Sequence, residues 1–431
     1  MRHAISFSDL AGRRVGVFGL GVEGVAARDR LVALGCDLVL VDDDARRAGE
    51  LGGAATREGG DALLRTCDAV VKTPGISRYR DDVLALEAAG VPVLGGVGMW
   101  LEEADRARVI CVTGTKGKST VATVAGHLAN ALGTACSVAG NLGVPPFAPG
   151  AALDGRLVVV ETSSFQATDV AHTPSVVAVT SLGEDHLDWH GSVERYHADK
   201  LSLTTQPEAR CTVIAASPEL LERRAQLGGE VVVAPPGDGA LAEALGLVGR
   251  HGASNAAVAV AALSAAGVEG ADDPVRVRAA ADGYHPLPGR FREIACRDGV
   301  RYVDDSLATN PLPTIAALEA LGDDRVALLL GGHDRGVSYE ALVATIGARR
   351  GPTLVVTLPD NGPALGERVA MTTRVEVVDA ADVAEAVALA RRWLRGDGVV
   401  LLSPAAPSFS QFRDWKERSE AFAAAVADAT G

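Results

Sequence analysis

Val109-Ile110-Cys111-Val112-Thr113-Gly114-Thr115-Lys116-Gly117-Lys118-Ser119-Thr120 decides how this chain is read: an apolar run, a glycine-punctuated turn, then a helix-compatible stretch. A strand that feeds a helix through such a turn forms a phosphate cradle. Glycines let backbone N–H groups close around oxyanions, and the helix beginning there presents its positive dipole end. Lys118 can neutralise a β- or γ-phosphate and Ser119 can ligate Mg²⁺. Gly114, Thr115, Lys116, Gly117 and Thr120 complete the candidate ATP-phosphate set. The generic phosphate loop has another glycine five residues before Gly117, where this chain has Val112, so the motif is a tighter variant. The bland alternative is a glycine turn that only punctuates the chain, and Lys-Ser-Thr after the glycine argues against it.

Outward from this loop, 431 residues exceed what one core organises, so two or three domains are expected. Residues 13 to 95 alternate short aliphatic runs (Val15–Phe18, Leu38–Val41, Ala69–Val71, Val91–Leu94) with helix-compatible stretches, the pattern of a doubly wound parallel sheet. A second segment starts near Arg108 and continues through Leu157–Glu161, Val176–Thr180 and Cys211–Ala215. A third follows the linker-like Pro286-Leu287-Pro288-Gly289, with runs at Arg301–Asp304, Val326–Leu330, Leu354–Thr357 and Val399–Leu402. The expected fold is α/β in three domains, 1–97, 98–286 and 287–431. Alanine-rich stretches such as Ala256 to Ala266 read as packing surfaces.

Composition narrows the function. A net charge of −14 leaves no broad cationic surface, which argues against a nucleic-acid partner. Six cysteines (Cys36, Cys67, Cys111, Cys136, Cys211, Cys296) lack metal spacing and read as reduced thiols. The start, Met1 to Phe7, has no apolar signal core and no segment reaches membrane-spanning length, so a soluble cytoplasmic protein without membrane association is expected.

Gly19-Leu20-Gly21-Val22-Glu23-Gly24 follows a strand, and Asp42, Asp43 and Asp44 close the next one, as in a dinucleotide fingerprint. Such a turn suits NAD, but nothing in the chain resembles a hydride-transfer site, and a UDP-linked substrate satisfies it equally. Thr73-Pro74-Gly75-Ile76 either touches the same nucleotide or is only a turn. Glu161, at the end of an aliphatic strand in Glu161-Thr-Ser-Ser-Phe-Gln166, can take Mg²⁺ with Ser119, or can be a helix-capping acid. His186 sits at the next strand end in Ser181-Leu-Gly-Glu184-Asp185-His186-Leu-Asp188, where two acidic neighbours favour metal binding over a structural role. Lys200 lies on a helix and reads most simply as a solvated lysine. Buried and deprotonated, it can react with CO₂ to give a carbamate able to bind a second Mg²⁺.

Taken together, Gly114–Thr120, Gly140-Asn141-Leu-Gly143, Glu161–Gln166, Glu184–Asp188, Lys200, Pro288-Gly-Arg290-Phe291, Asp304–Asn310, Gly331-Gly332 and Leu401–Phe412 follow in an order that resembles the Mur ligase family, in its glutamate-adding (MurD) type. The resemblance spans essentially the whole chain. It implies a Rossmann-like UDP-binding N-terminal domain, a central P-loop ATPase domain with a parallel sheet, and a Rossmann-like C-terminal domain. The small-molecule substrates it implies are UDP-N-acetylmuramoyl-L-alanine and glutamate, and the oligomeric state a monomer. Gly21, Val22, Glu23, Asp42 and Thr73 fall to the UDP substrate. Lys118 and Ser119 serve ATP and a first Mg²⁺ with Glu161, while His186 and carbamylated Lys200 hold a second. Asn141 lies near the muramoyl group. His251 and Asn255 border adenine, Asp305 the ribose and Arg290 the transferred phosphoryl, and Thr309, Arg335, Ser408 and Trp415 line the glutamate pocket. The linker at Pro286–Gly289 is then a candidate hinge for domain closure.

Five positions depart from the pattern. Leu307 replaces the lysine of Asn-Asp-Ser-Lys-Ala-Thr-Asn, Asp304 its first asparagine, Gly289 the histidine of Pro-His-Arg, and Trp415 an aromatic that is usually Phe; Arg335 stands for a lysine as well. Opposite enantiomers with the amine held in line send the α-carboxylate and side chain to different walls, so moved cations fit a different isomer. The departures point to the branch that adds L-glutamate, with an ordinary D-glutamate ligase as the alternative. More distant alternatives are a folylpolyglutamate synthetase-like ligase, for which the Gly19–Gly24 turn has no role, and a non-catalytic nucleotide-binding protein.

Overall fold

The computed structural model describes residues 2–372, 375–409 and 411–428, so Ser410 of the Leu401–Phe412 motif lies outside the described residues. It contains three sheets. The first is formed by β1 (Arg14–Phe18), β2 (Asp37–Asp42), β3 (Ala54–Ala55), β4 (Ala69–Lys72) and β5 (Val93–Gly95), all parallel in the order β3-β2-β1-β4-β5. The second is formed by β6 (Val109–Thr113), β7 (Cys136–Gly140), β8 (Leu157–Glu161), β9 (Val176–Val179), β10 (Cys211–Ile214) and β11 (Glu230–Val233), parallel in the order β11-β10-β9-β6-β8-β7. From β6 the chain crosses to β7 on one side and later returns to β9 on the other. The carboxyl end of β6 is therefore a point of reversed strand order, where open α/β sheets bind ligands.

Why these segments form strands is visible in their burial. All five residues of β6 and all five of β8 are buried, as a central parallel strand covered on both faces requires. The helix Lys118–Ala131 covers this sheet with Val121, Ala122, Val124, Ala125, Leu128 and Ala129, each 0% exposed. Each valine or leucine so placed contributes about 1.5–3 kcal/mol of burial. The alanine-rich helix Gly249–Ala265 likewise buries Ala256, Val258, Ala259, Ala262 and Leu263 completely.

The third sheet comprises β12 (Arg292–Arg297), β13 (Val300–Asp304), β14 (Val326–Leu330), β15 (Thr353–Thr357), β16 (Glu376–Asp379) and β17 (Gly398–Leu402), in the order β12-β13-β17-β14-β15-β16. It is mixed, because β12 runs antiparallel to β13 with a register shift between Glu293 and Ala295. Alternate residues feed cores on opposite faces: Val303, Leu328 and Leu401 on one, Tyr302, Leu329 and Leu402 on the other.

The chain divides into two compact units. The first runs through Ala244 and adds Ser254–Tyr284; the second takes Leu245–Ala253 and the chain from His285. The first two sheets thus share one unit, although the sequence suggests a separate N-terminal domain. A buried ion pair joins their segments: Lys72 Nζ, at the end of β4, lies 2.6 Å from Asp169 Oδ2, with both side chains at most 2% exposed. Arg78 adds a second contact to Asp169 at 3.4 Å, and Arg2 donates to the carbonyls of Ala167 (3.0 Å) and Val170 (2.7 Å). Among the described residues no helix is long and apolar enough to cross a membrane, and all six cysteines are free thiols.

Candidate active site

The turn after β6 enters the helix Lys118–Ala131 through Gly117, whose φ of +88° is left-handed. A Cβ at Gly117 would stand 2.4 Å from Asn255 Oδ1, so both the backbone and its neighbour require glycine here. The loop is laced to the segment following β9. The N–H of Thr115 donates to Ser181 O (2.9 Å), that of Lys116 to Ser181 Oγ (2.8 Å), and that of Gly183 to Thr115 Oγ1 (2.9 Å). Tyr196 donates its hydroxyl to the same Thr115 Oγ1 at 3.0 Å, and the Lys116 ammonium meets Asp185 at 3.2 Å. Lys118 Nζ curls over the loop onto the carbonyls of Gly114 (2.9 Å) and Thr115 (3.1 Å). A cation held there beside a helix N-terminus is ready for a phosphate.

Two backbone bonds keep the neighbouring strand ends level with this loop: Thr162 N–H to Val112 O and Thr180 N–H to Thr113 O, both 2.9 Å. Glu161 is 3% exposed; its Oε1 accepts from Asn141 Nδ2 at 3.0 Å, while Oε2 is buried and takes no hydrogen bond among the described residues. A buried carboxylate oxygen without a donor is costly unless a cation or water meets it. Ser119 is buried in the first turn of the adjoining helix. Lys200 is 2% exposed, with Nζ donating to Gly114 O at 3.0 Å and lying 4.8 Å from the centre of the Tyr196 ring. Burial, reinforced by the charge of Lys118, pushes the Lys200 amine well below the ordinary lysine value. His186 is exposed, has left-handed backbone (φ +51°) and packs its ring 4.8 Å from Phe165. Lys118 and Lys200 both donate to the carbonyl of Gly114 and Lys116 meets Asp185, so these groups gather around the loop.

Among the described residues no three His, Cys, Asp or Glu side chains cluster as a metal site. Mg²⁺ does not need one, because it is commonly held by one or two carboxylates together with phosphates and water. The unmet Glu161 oxygen and the Ser119 hydroxyl are hard donors of that kind beside the phosphate loop.

In the first sheet, Asp42 is turned inward: its Oδ2 accepts from Leu20 N–H at 2.6 Å and its Oδ1 from Asp44 N–H at 2.8 Å. The sequence reading put Asp42 on substrate; in the fold its carboxylate fixes the glycine turn, as a buried acid needs donors. Thr73 does reach the turn, since its Oγ1 stands 2.1 Å from where a Cβ on Gly19 would lie. Gly21 and Val22 are exposed, whereas Glu23 accepts from Gln166 Nε2 at 2.6 Å, and burial raises its pKa to about 7.

In the C-terminal unit, Asp305 is buried, with Oδ1 accepting from Phe291 N–H (3.1 Å) and Oδ2 from Ser403 Oγ (2.7 Å); burial raises its pKa to about 7. It thereby holds the backbone beside Arg290, and both its oxygens have protein donors where the sequence reading gave it a ribose. Three of the departures adjoin one another. A Cβ on Gly289 would lie 2.8 Å from the Trp415 ring, and Leu307 N–H donates to Gly289 O at 2.8 Å. Arg335 is exposed with its guanidinium 5.8 Å from the Phe409 ring centre, Ser408 is buried, and Thr309 is half-buried. His251 is exposed at the start of the helix Gly249–Ala265.

Sequence reasoning missed Tyr196, whose hydroxyl holds Thr115 and whose ring faces Lys200. The signal was its spacing: residues four apart on a helix share a face, and Tyr196 precedes Lys200 by one turn of Val193–Leu201. It also missed Asn141 as the partner of Glu161, a contact between two strand ends that no local pattern reveals.

A phosphate loop on a parallel sheet with an unmet carboxylate oxygen beside it is the site of a nucleotide-dependent enzyme, and the family matches make that enzyme an ATP-dependent ligase. Residues 112–233 match the Mur ligase middle domain and residues 289–406 match the Mur ligase, glutamate ligase domain. The chain belongs to the Mur ligase family. It is 39% identical to UDP-N-acetylmuramoyl-L-alanine--L-glutamate ligase of a Micromonospora species, covering 98% of each chain, and 36% identical to the protein of the same name from Xanthomonas axonopodis pv. citri, covering 96% of this chain and 95% of that one. Its fold is similar to that of UDP-N-acetylmuramate-alanine ligase MurC from Thermotoga maritima (TM-score 0.55, 16% identity, covering 97% and 100%).

Proposed function

We propose that this protein joins L-glutamate to UDP-N-acetylmuramoyl-L-alanine at the expense of ATP, through an acyl phosphate. What supports the reading most directly is the buried Glu161 oxygen without a donor, next to a phosphate loop, in a chain akin to ligases of that name. A carboxylate is a poor electrophile because oxide would have to leave. Phosphorylating the terminal alanine carboxylate supplies phosphate as the leaving group; glutamate's neutral amine then attacks the acyl carbon and phosphate departs. Lys118 and the loop N–H groups hold the triphosphate and offset charge on the γ-phosphoryl. Two Mg²⁺ ions, one held by Ser119 and Glu161 and one by His186 and carbamylated Lys200, supply further charge neutralisation when bound. The burial that disfavours the charged form of the Lys200 amine suits carbamate formation.

The glycine turn and Thr73 take the UDP moiety, Asn141 lies near the muramoyl group, and Thr309, Arg335 and Ser408 hold glutamate. The isomer reading is supported by Leu307, Gly289 and Trp415 being neighbours: the lost cation and the enlarged ring change one wall together. We also read the chain as cytoplasmic and monomeric, in functional segments 1–97, 98–286 and 287–431. The test is phosphate release from ATP with UDP-N-acetylmuramoyl-L-alanine plus either glutamate isomer. Stimulation by L-glutamate alone is expected; stimulation by D-glutamate alone refutes the isomer, and by neither the ligase reading.

A further inference from the structure

Three buried side chains and the half-buried Tyr79, all outside the groups assigned above, form a continuous chain. Ser164 Oγ is 2.9 Å from His190 Nε2, His190 Nδ1 is 2.6 Å from Asp199 Oδ2, and the Tyr79 hydroxyl donates to Asp199 Oδ1 at 2.6 Å. With Nδ1–H donating to Asp199, Nε2 accepts from the Ser164 hydroxyl, so both ring nitrogens are used. The ring of His190 is fully buried and wedged among Phe165, Trp189 and Tyr196, with centroids at 5.4, 4.4 and 5.1 Å. Ser-His-Asp is also the order of a hydrolytic triad. Here, however, the serine is 2% exposed in the first turn of the helix Ser164–Ala167, too buried to serve as a nucleophile as it stands.

The ends of the chain suggest another role. Ser164 stands three residues after Glu161, and Asp199 directly precedes Lys200 on Val193–Leu201. Tyr79 belongs to the loop after β4, which makes two more bonds to the same region: Trp189 Nε1 donates to Pro74 O (3.1 Å) and Ser77 Oγ to Trp189 O (3.2 Å). That loop begins at Thr73, which abuts the glycine turn of the first sheet. The helices Ser164–Ala167 and Leu187–His190 have four residues each, too short to persist on their own hydrogen bonds. Something outside them must fix where they lie.

We propose that the Ser164–His190–Asp199–Tyr79 chain is a positioning strut that sets the spacing between Glu161 and Lys200, and that it ties this spacing to the Thr73–Tyr79 loop. His190 is the hydrogen-bonding link of the strut, and none of the four is assigned to substrate. The inference rests on Glu161 and Lys200 being cation ligands, as proposed above. Groups that orient metal ligands typically govern 10–100-fold of metal affinity.

The test uses the full-length protein with ADP and Mn²⁺ as the probe, read directly by electron paramagnetic resonance, with thermal melting alongside. Ser164→Ala and Tyr79→Phe each remove one hydroxyl and are expected to weaken Mn²⁺ binding about 10-fold and lower kcat while KM for ATP changes less. His190→Gln, whose amide can still donate to Asp199 and accept from Ser164, is expected to stay within about 3-fold of the parent. Glu161→Ala is the control. If it abolishes Mn²⁺ binding while Ser164→Ala and Tyr79→Phe bind like the parent, the strut is refuted and the metal site stands. If Glu161→Ala binds Mn²⁺ unchanged, the metal-site reading itself has failed. Loss of affinity only in proportion to loss of melting temperature also overturns the strut. Should His190→Gln not fold, the two hydroxyl variants decide alone.

Discussion

Removing either partner of the Lys72–Asp169 pair should loosen the first compact unit, and unequally. At 2.6 Å the attraction is about 6 kcal/mol at an effective dielectric of about 20, set against several kcal/mol of desolvation for each ion. What a single replacement loses is therefore dominated by the charge left behind, about 3–5 kcal/mol. Lys72→Met leaves Asp169 with Arg78 at 3.4 Å and the Thr168 hydroxyl at 3.3 Å, so it belongs near about 3 kcal/mol. Asp169→Leu leaves the Lys72 ammonium with the Trp189 ring at 6.0 Å, and belongs near about 5 kcal/mol. The double variant buries no lone charge from this pair and should fall short of the sum of the two by at least about 2 kcal/mol. Urea unfolding followed by circular dichroism and tryptophan fluorescence measures all four proteins. Strict additivity, or a loss under about 1 kcal/mol for Asp169→Leu, would refute the claim that this pair fastens the two sheets.

Other consequences are open to measurement. Gly117→Ala should weaken ATP binding at least tenfold by calorimetry, because a left-handed alanine costs about 1–2 kcal/mol and its Cβ displaces Asn255; unchanged affinity would contradict the loop geometry. Glu23, raised to about 7 from 4.5, binds its proton more tightly folded than unfolded. Its protonation therefore adds stability as pH falls from 7 toward 4.5, up to about 3 kcal/mol, and that gain is lost as pH rises through 7. Glu23→Gln should flatten that slope in urea melts, and an unaltered slope would show that Glu23 is not its source. Lys200→Ala should abolish turnover, with partial rescue by short carboxylates occupying the carbamate position; full activity would remove Lys200 from the site. Leu307→Lys should shift the ratio of L- to D-glutamate turnover, and no shift would count against that position.

Legibility followed burial. The most deeply buried central strands were aliphatic runs in the sequence, because both their faces are covered; β6 and β14 are buried at all five positions. The strands that sequence reading did not find, β3, β7, β11, β12 and β16, all lie at sheet edges. There half-exposed residues break the run, as in Arg292–Arg297 and Glu376–Asp379. The phosphate loop and the strand-end position of Glu161 were readable because local chain order dictates them. Asp42 and Asp305 were less legible for the opposite reason: an acid at a strand end looks the same in sequence whether it faces a ligand or a buried N–H, and both accept from protein donors. The buried histidine was illegible too, since its partners Ser164, Asp199 and Tyr79 come from separate stretches of chain.

The contact between Gly289 and Trp415 binds two distant sites into a single heritable character. Any side chain at the first position collides with the indole, 2.8 Å away, so a lineage that regains one there must first, or at once, accept a smaller ring at the second. Paired replacements should recur among related sequences while lone ones are purged, and a laboratory exchange of either residue alone should yield poorer enzyme than the exchange of both.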